Sequence, residues 1–272
     1  MLLLLLVLTT LASPAVAAPA DLTPTGGQAL VGTARYTQTL TARPGRWSEP
    51  DVDVTYEWRS GGQVVAGVTG QRYELRPEDV GRRVQVRITA TAPGLAPVTV
   101  TETRGPVKHR VDVRRVVRYS VETRGRITAR LGEFRTQAQA TYDDPRGWRS
   151  AGIEFRRVAR GGAFTLVLSQ ASLLPSFSPV CSSMWSCRAG RFVVINQDRW
   201  LGASPAWNAA GLALRDYRHM VVNHETGHWL GLGHASCPGP GQLAPVMQQQ
   251  SKGLQGCRFN PFPTTGEIAS RS

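Results

Sequence analysis

Lysine is nearly missing from this chain. Only Lys108 and Lys252 occur among 32 basic residues, so the formal charge of +13 rests on arginine. Such a chain should drift toward anionic polymers or surfaces. Arginine is scattered from Arg35 to Arg271, however, and its densest run, RVDVRRVVRYSVETRGRITAR at 110–130, alternates like a strand. It reads mostly as a solvated sheet face, with an anionic cell-surface polymer as a candidate partner; nucleic acid is not an expected one. After Leu11 no stretch approaches the ~20 apolar residues of a membrane span, so no transmembrane segment is expected. The four cysteines contain no C-x2-C pair, which works against a zinc site built from thiolates. A G-x-S-x-G turn is absent, which leaves a serine hydrolase without support. So is a D-x-D-x-D-G calcium loop.

What is present divides the chain. MLLLLLVLTTLASPAVAAPA runs mostly apolar from Leu2 to Leu11 and ends in small residues at Ala15-Val16-Ala17, although no Lys or Arg precedes the run. That layout predicts a signal peptide over residues 1–18 and a secreted chain. The cysteines, Cys181, Cys187, Cys237 and Cys257, are even in number, as disulfides in an exported protein would be. Three pairings are possible. The local one, Cys181–Cys187 with Cys237–Cys257, closes two short loops and is the expected one, worth roughly 2 and 3 kcal/mol by chain entropy.

The chain is 272 residues long and 41% hydrophobic, enough for two domains with real cores. Residues 22–106 read as all-β, with alternation in Val52-Val54-Tyr56-Trp58 and Val84-Val86-Ile88 and frequent Gly, Pro and Asp turns. Trp58 is the expected core tryptophan, and Asp79-Val80-Gly81 the turn before the next long strand. The pattern resembles bacterial immunoglobulin-like sandwich modules. Pro106 to Arg110 forms the joint. Residues 111–272 then predict an α+β domain with a twisted sheet and two main helices. Its strands are expected at 111–123, 152–159, 163–169 and 191–197. Its helices are expected at 131–144, stopped by Pro145 and Gly147, and at 216–231, with Asp216 as N-cap.

The second helix contains the chemistry. Three of only five histidines fall in HETGHWLGLGH, residues 224–234. Residues four apart on a helix share a face, so His224 and His228 can bind one Zn2+ together. Glu225 sits about 100° round the helix, close enough to act as general base toward a water without ligating the ion. Were the helix to continue, His234 would lie roughly 9 Å further along its axis than His228. The chain must therefore turn sharply, and Gly231, which accepts the left-handed conformation, is where it can. Gly233 allows a second tight step.

HETGHWLGLGH resembles the zinc-binding consensus of the metzincin clan of metallopeptidases. The clan also has a turn bearing a methionine beneath the metal, and PVM at 245–247 supplies Met247, thirteen residues after His234. DPRGW, RFVVINQDRW, HASCPGPGQLAPVM and GCRFNPFP are similar to a family of secreted bacterial domains of unknown function with a metzincin-like site, over about residues 112–265. The resemblance implies one catalytic Zn2+ on His224, His228 and His234, a protein or peptide substrate, hydrolysis with Glu225 as base, and secretion. The chain departs from the clan in two places. No cysteine precedes position 181 to hold the enzyme latent, and Gln248 stands where some branches have a tyrosine.

The competing class is a binding protein, in which basic surface and sandwich grip an anionic wall polymer and the zinc site is residual. Deacetylation on the same metal is weaker still. Among other residues, His219 is expected to be solvated and His109 inert. Trp148, Trp200 and Trp207 are expected to be buried rather than to line a cleft. Trp229 should pack the helix onto the sheet.

Overall fold

Alternating β-branched and aromatic residues build the first part of the chain. The computed structural model describes residues 21–271, so the signal segment assigned to 1–18 lies outside the described residues. The chain forms two units: residues 21–33 with Thr39–Glu74 and Arg83–Arg104, and Ala34–Gln38 with Leu75–Arg82 and residues 105–271. In the first unit, β3 (Asp53–Ser60) pairs antiparallel with β6 (Val84–Thr91) from Asp53↔Thr91 to Ser60↔Val84. With β4 (Gln63–Val64) and β7 (Val98–Arg104) they form a sheet in the order β4-β3-β6-β7. A second sheet has the order β1-β2-β5 (Pro24–Val31, Thr39–Trp47, Arg72–Glu74). Trp58 is fully buried, as expected. Its ring lies 5.3 Å from that of Tyr73 on the other sheet, and its indole N–H donates to Gly70 O at 2.8 Å.

The second unit is α+β. Its sheet runs β11-β12-β10-β8-β9, from β8 (Arg115–Arg124), β9 (Ile153–Arg157), β10 (Phe164–Ser169), β11 (Cys187–Ala189) and β12 (Phe192–Asn196). β9, β8, β10 and β12 are parallel neighbours, while β11 adds antiparallel at the edge. All of FTLVLS in β10 is buried, as befits a central parallel strand covered on both faces. Leu166, Leu168, Val193 and Ile195 join the core shared with helices α1 (Leu131–Asp143) and α4 (Leu214–Trp229). Val167 and Val194 pack instead with Leu174 and Cys181. On β8, Val117 and Tyr119 are buried and Arg115 and Arg118 exposed; being three residues apart, the two arginines point to opposite faces of the strand rather than forming one solvated face.

Short helices α2 (Gln197–Gly202), α3 (Pro205–Ala209) and α5 (Thr265–Ala269) supplement the two main ones. The strand expected to reach 197 ends at Asn196, whose side chain accepts from Asp198 N–H and caps α2. Trp148, Trp200 and Trp207 are buried, and the Trp229 ring lies 4.8 Å from that of Phe164, joining α4 to the sheet.

Two expectations about α4 need correction. Asp216 is not its N-cap. Ala213 holds that position, because its carbonyl accepts from Asp216 N–H, Tyr217 N–H and the Trp207 indole, and Asp216 becomes part of the first turn. His219 is not solvated but 1% exposed. α1 and Phe262 cover that face of the helix, so α4 has no free side there. The Thr141 hydroxyl gives its proton to Gln137 O and so accepts from His219 Nδ1 at 2.9 Å. His219 Nε2 has no partner. Burial holds this imidazole below its ordinary range.

A folded pKa below the unfolded value of about 6.5 makes the contribution to stability whole above that pH. It declines as pH falls, since the unfolded chain takes a proton that the native chain refuses. His219→Gln should therefore unfold with a shallower loss of stability below pH ~6.5, by up to one proton. Denaturant melts of both proteins from pH 7 to 4 measure this, and identical slopes would refute it.

Candidate metal centre

His224 and His228 share one face of α4, their rings 4.7 Å apart and nearly perpendicular. The helix then ends in a Schellman motif. Leu232 N–H donates to Gly227 O at 3.0 Å, and Gly231 N–H to His228 O at 3.1 Å. The motif needs a left-handed residue, and Gly231 has φ 93°. This reversal brings His234 Nε2 to 3.1 Å from His228 Nε2. It also sets the Leu232 carbonyl 2.8 Å from His228 Nδ1, fixing that ring's orientation.

The protons can be placed. His224 Nδ1 lies 2.7 Å from Val246 O. Carbonyls only accept, so His224 and His228 both carry hydrogen on Nδ1 and present bare lone pairs on Nε2. Those two Nε2 atoms are 3.1 Å apart. Neutral rings cannot hydrogen-bond in that arrangement, and two lone pairs so placed repel unless a cation lies between them. A tetrahedral ion with ~2.0–2.1 Å bonds holds its ligand atoms about 3.3 Å apart, close to what is seen. All three ligand atoms lie within 4.8 Å of one another. Burial, with the neighbouring rings adding to it, pushes His224 down to about 3. Burial likewise holds His228 and His234 below the ordinary imidazole range. The rings are thus kept neutral, the form that binds metal.

Glu225 is 5% exposed and its Oε2 has no partner. Burial pushes its carboxyl up to about 8. Together with the three histidines it lines a cavity of about 480 Å3. Tyr217 and Met220 of α4 also line it, as do residues from 180–188 and 249–252. The disulfides join Cys181 to Cys187 and Cys237 to Cys257. The first fastens the segment that leads into β11 along the cavity. The second spans the chain between His234 and the stretch beyond Met247.

Met247 is 1% exposed. A Cβ built on Gly227 would collide with Met247 Sδ and stand 3.0 Å from Trp148 Cζ2, so the methionine sulfur occupies the space a side chain would need. The turn around Met247 also orients the ligands. Val246 O holds His224, and Met247 O accepts from Ala235 N–H, the residue after His234, at 3.1 Å. Gln248 is buried, its amide donating to Leu254 O at 2.8 Å, which ties down the loop that follows.

Two contributors escaped sequence reasoning. Gly227 sits inside a helix, where glycine costs about 1 kcal/mol relative to alanine; that oddity was the available signal. Glu267 accepts from Val246 N–H at 3.0 Å and Met247 N–H at 2.8 Å, and from Thr264 N–H and hydroxyl. Its signal was the T-x-x-E capping box Thr264–Glu267. One carboxylate thus caps α5 and fastens the turn that orients His224.

Fold and site define an α+β protein with three histidines that could hold one metal ion. The family model described as "Protein of unknown function (DUF3152)" matches residues 93–265, and the chain belongs to that family. No curated protein matches it.

Proposed function

We propose that this chain is a secreted zinc-dependent endopeptidase of metzincin type, preceded by an immunoglobulin-like spacer module. The observation that carries this reading is the convergence of His224, His228 and His234 beside an unpartnered buried carboxylate in one cavity. Three neutral imidazoles suit Zn2+, and His224, His228 and His234 would hold it. A zinc ion bound there would supply the Lewis acidity that activates water and polarises a carbonyl.

The chain's own groups do the rest. Glu225, whose Oε2 has no other duty, receives the water's proton and passes it to the departing amine. β11 lies at the sheet edge beside the cavity, to which Cys187 and Arg188 contribute. An extended peptide can add there as a further strand and lie across the three rings. Export accords with the two disulfides, and among the described residues no helix is long and apolar enough to cross a membrane.

The test is a metal analysis of the purified protein joined to mass-spectrometric mapping of cut casein or a peptide library. One zinc per chain is expected, with internal cuts that stop on chelation and resume on adding zinc. Stoichiometric zinc without any cut would overturn the peptidase reading.

A further inference from the structure

The cavity over α4 has a one-sided charge balance. Among the described residues its one carboxyl side chain is Glu225, while Arg188 comes from the 180–188 side and Lys252 from the 249–252 side. Lys252 is one of two lysines in the chain, is exposed, and forms no ion pair among the described residues. Arg188 is exposed too. One of its terminal nitrogens donates to His228 O at 3.2 Å, which steers the guanidinium toward the end of α4 and leaves its other donors for a ligand.

A divalent ion on the histidines adds to this excess, so three cationic centres would face one carboxylate across a single cavity. Like charges at such range repel, and a bound anion relieves them. A peptide can bring one of two carboxylates close to the bond being cut: an Asp or Glu side chain, or its own C-terminus.

We propose that the cleft selects substrates carrying a carboxylate next to the scissile bond, received by Lys252 and Arg188. This rests on the peptidase reading and adds the substrate class to it. Lys252 is the more selective of the two, since no carbonyl engages it.

The test uses the full zinc-loaded chain and internally quenched peptides with Glu, Ala or Lys beside the cleaved bond. One series is C-terminally amidated; another ends in a free carboxylate near the bond. The Glu peptide should exceed the Lys peptide in kcat/KM by about 10-fold. Lys252→Arg should keep that ratio and Lys252→Glu should invert it. Preference within the amidated series assigns the carboxylate to a side chain; preference confined to the free-ended series assigns it to the C-terminus. Equal or Lys-favouring ratios in the wild type would overturn the inference.

A binding arm separates it from the peptidase reading. On zinc-loaded Glu225→Gln, fluorescence anisotropy compares the Glu and Lys peptides. Acid-selective binding without any cleavage by the wild type supports carboxylate recognition and defeats the peptidase. Unselective binding or none, again without cleavage, defeats both.

Discussion

Replacing Glu225 with glutamine should leave one zinc per chain and lower peptide cleavage by about 10³-fold. Glutamine matches the carboxylate in shape but cannot receive a proton. Glu225 is separated from the rings by role: His224, His228 and His234 bring their Nε2 atoms together, whereas Glu225, whose buried Oε2 has no hydrogen-bond partner, lines the same cavity as a separate side chain. Metal binding should therefore survive the change. The measurement pairs kcat/KM on a quenched peptide with zinc content after dialysis. Cleavage above a tenth of the wild-type rate would remove Glu225 from its role as base. Loss of zinc alongside cleavage would make it a ligand instead.

The second large effect is expected at a residue with no reactive group. Gly227→Val should cost about 3 kcal/mol, because it forces branched carbons into the space held by Met247 Sδ and fully buried Trp148. In a domain of this size that lowers Tm by roughly 6–12 °C. The damage should extend to zinc affinity. Pushing Met247 away moves Val246, whose carbonyl orients His224, and pulls on the Glu267 carboxylate beneath. Gly132→Ala in α1 is the control, since a Cβ there meets nothing within 4 Å and it should be neutral or slightly stabilising. Thermal melts and competitive zinc titration of both variants decide the matter. A Gly227→Val protein with wild-type Tm and zinc affinity would show that the contact with Met247 is dispensable.

Much of this site was readable before any coordinates, for a reason particular to helices. A helix converts spacing into direction, so His224 and His228 had to face the same way, and His234 could join them only if the chain reversed at Gly231. Core tryptophans were readable from size and apolarity, and the strands of the sheet from β-branched runs bounded by turns.

Other features could not be read because they depend on what lies opposite. Nothing in the periodicity of α4 says that α1 and Phe262 will cover His219, so a histidine outside the metal face read as solvated. The start of α4 moved from Asp216 because the Trp207 indole, six residues back, and the amides of Asp216 and Tyr217 converge on the Ala213 carbonyl. β11, three residues long, is a strand only because β12 lies beside it.

The sequence by itself determined which side chains can meet on one ion, since that follows from the rise and turn of a single helix and one glycine. Only the tertiary structure decided how those rings are aimed and what surrounds them. The Val246 carbonyl, the Met247 sulfur against Gly227 and the Glu267 carboxylate reach the site from 22 to 43 residues beyond His224. Contacts across such separations are selected by packing and hydrogen-bond geometry rather than by local spacing.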